Sequence, residues 1–136
     1  MTDPDFFSFL ERALQALTSE VPAASAELAR ALRGVALQLH VDGQARALLA
    51  HGEHCSLQHD ISGCVAELRT QRNVLVALLE AEQSLMDAVT RDELLLRGSP
   101  SHLASIHEAL VVFVQGAIRS TSIPKLLDHY LTAASK

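Results

Sequence analysis

The stretch from Asn73 to Gly98, NVLVALLEAEQSLMDAVTRDELLLRG, limits the fold more than any other, because it sets two helical patterns and one extended pattern end to end. Val74, Leu75, Leu78 and Leu79 fall on one side of a helix of period 3.6, and that side needs a cover. Ser84 stands three residues before Asp87, the spacing at which a hydroxyl and a carboxylate satisfy free N–H groups at a new helix start. The second helix presents Leu85, Met86, Ala88 and Val89 before the charged turn Arg91-Asp92-Glu93. Leu94-Leu95-Leu96 is too short for a helix and is closed by Gly98, so it reads as a buried strand over Glu93 to Arg97.

Before this stretch the period changes once. Thr2 or Asp3 ahead of Pro4 predicts a helix start, and Phe6, Leu10, Ala13, Leu14 and Leu17 form its apolar stripe. Phe6, Phe7 and Phe9 crowd its first turns, more rings than one stripe can bury, so they pack on two neighbours or line a pocket or dimer seam. Pro22 opens an alanine-rich helix that Gly34 stops. From Val35 the period is two: Val35, Leu37, Leu39 and Val41 point one way, Gln38 and His40 the other. Asp42-Gly43 predicts a hairpin, with Gln44 to Ala50 returning, a turn at His51 to His54, and further strands at Cys55 to His59 and Cys64 to Arg69. The expectation is a four-strand antiparallel meander joined by a fifth strand at Glu93 to Arg97.

After Gly98, Ser99 caps and Pro100 opens the longest helix, with Leu103, Ile106, Leu110, Phe113, Val114 and Ala117 on one side and Val111, Val112 and Ile118 widening it. A helix so broadly apolar buries two sides, or offers one to a ligand or a second subunit. Beyond the Ser120-Thr121-Ser122 loop, Pro124 starts an amphipathic terminal helix carrying Leu126, Leu127, Tyr130 and Leu131, which either lies across the mouth of a cavity or completes the core.

The order apolar helix, short helix, charged turn, strand and long helix resembles the sterol carrier protein type-two family, from about Ala31 to Ala117. Ser84, Leu85, Asp87, Ala88, Val89, Leu94, Leu96 and Gly98 carry the resemblance, while Arg91-Asp92 stands where the family often has glycine or lysine. The resemblance implies an α+β fold with a hydrophobic pocket, and names no ligand.

Composition narrows the function. Hydrophobic residues make up 49% of the 136 and mean hydropathy is +0.18, so apolar content exceeds what one sheet face requires. Formal net charge is -5, the two lysines are Lys125 and Lys136, and the nine arginines are spread singly, so the basic footprint of a nucleic-acid binder is missing. The longest uncharged apolar run, Ala109 to Ile118, is short of the ~20 residues that span a bilayer, so no membrane span is expected and membrane contact would be transient. Asp3, Asp5 and Glu11 stand where a secretory signal would be basic, which predicts a cytoplasmic protein. Cys55 and Cys64 are expected as free thiols.

Side chains that could do chemistry are sparse. His51, His54, Cys55 and His59 are zinc-type ligands, yet Cys55 points to the opposite strand face from His54, and His59 lies ~17 Å further along, so no metal or other cofactor is expected. His107-Glu108 lacks the second histidine of a metalloprotease helix, and neither a Gly-x-Ser-x-Gly elbow nor a phosphate-binding glycine loop occurs. Asp92-Glu93 reads as a solvated turn. No catalytic residue is assigned, and the chain is expected not to be an enzyme.

The combined expectation is one domain over 1–136, α/β in content: N-terminal helices (1–33), antiparallel strands (34–69), helices with the last strand (70–119) and a terminal helix (120–136). Helices cover one face of a five-stranded, mainly antiparallel sheet, and a cavity between them binds a hydrophobic small molecule such as a sterol, fatty acyl chain or quinone. The expected lining is Leu75 and Leu79, then Leu85, Met86 and Val89, then Leu103, Ile106, Leu110 and Phe113 of the long helix, and finally Leu127 and Leu131. The alternative is an accessory module whose same apolar faces bind a protein partner or form a homodimer.

Overall fold

The computed structural model describes residues 6–80 and 83–134. The expected helix start at Pro4 and the Ala81-Glu82 link lie outside the described residues, as do the side chains of Leu79, Leu85 and Leu131. Two helices come first, α1 (Phe6–Glu20) and α2 (Pro22–Ala31). The strands β1 (Leu37–Val41), β2 (Gln44–His51), β3 (His54–Gln58) and β4 (Ala66–Thr70) follow, then the short helices α3 (Arg72–Leu79) and α4 (Leu85–Thr90). The chain ends with β5 (Leu94–Arg97), α5 (Pro100–Arg119) and α6 (Ser122–Ala134).

Sequence chemistry accounts for several of the boundaries. The Ser84 hydroxyl accepts from the Asp87 backbone N–H at 3.1 Å to start α4, and the Ser99 hydroxyl accepts from the His102 N–H at 3.2 Å to start α5. Asp42 and Gly43 both take positive φ, 53° and 86°, the backbone a two-residue hairpin demands. The Asp42 carboxylate also accepts from the Arg72 N–H at 3.3 Å, tying the β1–β2 turn to the start of α3.

The sheet order is β3-β2-β1-β4-β5. The meander therefore stops at three strands. β4 does not pair with β3; it crosses back to lie parallel to β1, with Leu39 beside Leu68, and β5 then pairs antiparallel to β4. The sheet is mixed rather than mainly antiparallel in the expected meander sense. The cause lies in β1, whose Leu37, Leu39 and Val41 are all buried, so that neither edge can stay open to water. The Val65 N–H donating to the Ala36 carbonyl at 2.9 Å begins the second pairing. β5 is consequently an edge strand: Leu94 is buried, but Leu95 is exposed on the outer face, so the buried strand expected there is only half buried.

The register puts Leu37, Leu39, Val41, Leu48, Ala66 and Leu68 on one face, which the helices cover. Gln38, His40, Glu67 and Arg69 share the other, polar face, where Arg69 approaches Glu67 at 3.4 Å. α5 packs against α2 where Gly116 meets Ala24 and Leu17; a Cβ at Gly116 would stand 2.8 Å from the Ala24 Cβ and 2.7 Å from a Leu17 methyl. The buried face of α5 is thus Ile106, Ala109, Val112, Phe113 and Gly116: of the expected stripe Ile106 and Phe113 are buried, while Leu103, Leu110, Val114 and Ala117 are half-buried. By length and composition α5 is apolar enough to cross a membrane, which the run-length reading did not anticipate; in the fold this face packs into the core.

Candidate functional site

Four leucines form a floor. Leu37 pairs with Leu48 across β1 and β2, Leu39 with Leu68 across β1 and β4, and all four point at the helices. Above them Phe6, Leu10 and Leu14 descend from α1, Leu28 from α2 and Leu32 from its C-cap, and Leu75 from α3. α5 closes the space with Ile106, Ala109, Leu110 and Phe113. Between these fourteen apolar side chains lies a cavity of about 90 Å3. Dry apolar cavities are kept by such linings, because water inside would find no polar partner.

Two grooves flank the cavity, and each shares one side chain with it. On one flank a groove of about 350 Å3 runs between α1, α5 and α6, lined by Phe9, Glu80, Phe113, Ala117, Ile118, Ile123, Pro124 and Leu127. On the other, a groove of about 410 Å3 lies between α1 and β3, lined by Glu11, Leu14, Gln15, Thr18, His54, Cys55 and Ser56. Phe113 belongs to the cavity and the first groove, and Leu14 to the cavity and the second.

The helix over the first groove is anchored at both ends. Phe9 stacks on Tyr130 with ring centroids 5.3 Å apart, and Phe6 meets Tyr130 edge-on at 6.0 Å. At the other end Glu20 Oε1, at the close of α1, accepts from the Ser120 hydroxyl and the Thr121 N–H, both at 2.8 Å, and from the Ser122 N–H at 3.0 Å. These bonds from Ser122 and Ser120 hold the Glu20 carboxyl down at about 2. Phe7, by contrast, is buried beneath the Arg46 guanidinium at 5.2 Å.

The expected lining is only partly gathered here. Leu75, Ile106, Leu110 and Phe113 meet at the cavity, and Leu127 stands at the α5–α6 groove. Met86 and Val89 do not join them: Met86 is 70% exposed and Val89 37%, and among the described side chains of the six-residue α4 Ala88 is the buried one. Leu103 is half-buried against the core, away from the cavity wall. Most of the wall comes instead from the front half of the chain. The leucines of α1, α2 and β1 all sit on apolar stripes legible in the sequence, but a stripe marks an inward face without saying whether it meets a neighbour or a void.

Groups capable of chemistry lie elsewhere. Among the described residues no three His, Cys, Asp or Glu side chains gather to hold a metal. His51 and His54 pair across the β2–β3 turn with ring centroids 6.1 Å apart. Cys55 and Cys64 are free thiols, and burial pushes the Cys55 thiol up to about 11, away from a reactive thiolate.

No protein-family model and no curated protein sequence matches the chain. Solved structures do. A UbiJ-SCP2 ubiquinone synthesis protein superposes with a TM-score of 0.66 at 16% identity, over 83% of this chain and 92% of its own. A conserved hypothetical protein of Thermus thermophilus, described as a candidate sterol carrier protein, gives 0.58 at 16% identity over 85% and 90%. The apo form of sterol carrier protein 2 from Yarrowia lipolytica gives 0.55 at 12% identity over 82% and 94%.

Proposed function

We propose that this chain, which has the sterol carrier protein type-two fold, binds or transfers a hydrophobic small molecule without catalysing a reaction. The observation that carries this reading is the cavity itself: fourteen apolar side chains between sheet and helices leave space, in a position where a core of this size is ordinarily filled. Ligand sites usually measure ~300–1,000 Å3, so a guest must enlarge the 90 Å3 space. Neighbours described as a ubiquinone synthesis protein and as a sterol carrier support a quinone or sterol-like guest over a small polar one. A cytoplasmic setting is part of the same proposal.

Apolar burial, at about 25 cal/mol per Å2, supplies the affinity. Titrating delipidated protein with a pyrene-labelled long-chain alcohol tests the reading: saturable binding at one probe per chain is expected, and its absence overturns it. The second reading, an accessory module that binds a protein or another copy of itself, is favoured by Val111 and Ile118, 40% and 72% exposed and two turns apart on α5. Light scattering that finds a dimer, with no probe uptake, would select it.

A further inference from the structure

We infer that this chain pairs with a second copy of itself through the free edge of β5, antiparallel about a two-fold axis at Leu95, so that two five-stranded sheets join into one. The inference goes beyond the carrier reading and does not rest on it, because the cavity is walled by β1, β2, β4 and the helices and takes no side chain from β5.

β5 has one neighbour, β4, and a strand with one neighbour leaves every second N–H and C=O facing outward. Among the described residues no loop or helix backbone bonds to Leu94, Leu95, Leu96 or Arg97 to close that edge. Leu95 stands midway between Glu93 and Arg97 and is 42% exposed. The helix packed beside this strand, α4, adds the exposed Met86 and Val89. These two adjoining elements therefore hold three of the six large apolar side chains that are exposed among the described residues.

Charge complementarity selects a second copy as the occupant. Alternation places Glu93, Leu95 and Arg97 on the outer face, with Glu93 one residue ahead of β5 and its carbonyl accepting from the Thr70 hydroxyl at 2.8 Å. A two-fold axis normal to the sheet at Leu95 keeps the outer faces of both copies on one side. It sets Leu95 against Leu95 of the second copy, and each Glu93 against the other copy's Arg97. One short segment thus supplies an apolar centre with an opposite-charge pair at either end. Neither charge is in an ion pair with a described residue. Glu93 Oε1 accepts from the Gln83 amide at 2.7 Å, a neutral donor that leaves the charge in place, and Arg97 stands across from Glu67, whose carboxylate Arg69 approaches at 3.4 Å. The other sheet edge offers no such match: pairing of β3 about Ser56 would oppose His54 to Gln58, and α1 flanks that strand across a groove. With both β5 edges covered, the assembly closes as a dimer.

Sedimentation velocity of the full chain over a range of concentrations tests this. A reversible monomer–dimer equilibrium is expected, of the modest strength a small interface gives, and weaker at high salt. Arg97→Glu, which opposes two acids at each end, should weaken the dimer by about ten-fold, and Glu93→Arg should do the same; the two combined restore opposite charges and should return the affinity to within about three-fold of wild type. Leu95→Lys should leave monomer, and Ile118→Lys on α5 should change nothing. All four side chains are exposed, so each variant should keep the wild-type circular dichroism spectrum. In a Cys64→Ser background Leu95→Cys should oxidise to a disulfide-linked dimer, since opposed residues stand ~4.5–5.5 Å apart, while Arg97→Cys, ~13 Å from its own copy, should not. Wild type still monomeric at about 1 mM overturns the inference. So does a dimer dispersed by Ile118→Lys but not by Leu95→Lys, or a double exchange that fails to restore what the single variants lose. Uptake of the pyrene alcohol should be equal in wild type and Leu95→Lys, so the carrier reading stands or falls separately.

Discussion

Glu20 Oε1 lies 2.8 Å from the Ser120 hydroxyl, which reaches it from one hundred residues further along the chain. With the Thr121 and Ser122 N–H groups it forms an N-terminal cap for α6 supplied by another helix, where α6's own start carries no acid in its first turn. The Ser120 hydroxyl in turn accepts from the Ile123 N–H at 3.1 Å. One carboxylate thus joins the end of α1 to the helix that covers the groove.

Removing it should loosen α6 before it unfolds the chain. Because the folded carboxyl sits at about 2 against an ordinary 4.5, its contribution is fully present above pH 4.5 and is lost as pH falls from there towards 2. Urea midpoints of wild type and Glu20→Gln should therefore differ at pH 6 and converge by pH 2.5. A gap that stays constant over that interval would show that Glu20 stabilises through something other than its charge.

The α2–α5 contact should tolerate no added carbon. At Gly116→Ala the new Cβ meets the Ala24 Cβ, which cannot turn away, and Leu17, which is 1% exposed. Overpacking is expected to cost about 1–3 kcal/mol, against the ~1 kcal/mol by which alanine usually improves a helix over glycine, for a net loss of up to about 2 kcal/mol. Chemical denaturation at neutral pH checks the sign directly.

Filling the cavity should separate binding from folding. Leu110 lines the wall but is only half-buried, so Leu110→Trp can place most of its ring into the 90 Å3 space and the rest outward. Uptake of the pyrene alcohol is expected to fall at least ten-fold, about 1.4 kcal/mol, with the far-UV spectrum unchanged. Unaltered uptake would mean that the guest lies elsewhere.

The two thiols should differ in reactivity. Burial and the nearby Asp60 charge raise the Cys64 thiol too, but Cys64 is partly exposed while Cys55 is buried with its thiol at about 11, so at pH 8 a disulfide reagent should modify Cys64 first and Cys55 more slowly. Mass spectrometry of the singly labelled protein after proteolysis identifies the site.

Local chemistry was legible in the sequence and long-range partnership was not. Ser84, Ser99, Asp42-Gly43 and the period change at Val35 act within a few residues, and each element stands where those signals predict. The pairing of β4 with β1 depends on β1 needing two neighbours, a fact about burial that alternation in Ala66–Thr70 alone does not carry. The buried face of α5 has a similar origin: its stripe is broad enough to turn several ways, and Gly116 against Ala24 decides which. The cavity wall drew on the front half of the chain for the same reason, since Leu10, Leu14, Leu28 and Leu32 read equally well as ordinary core.

A carrier needs the fourteen-residue wall to part and admit an apolar guest. Native mass spectrometry of protein purified from cells, before and after organic extraction, tests this most directly. A second species heavier by one lipid is expected, removed by extraction and restored by adding the extract back. A single bare mass throughout, unchanged when long-chain alcohols are added in excess, would contradict the carrier reading.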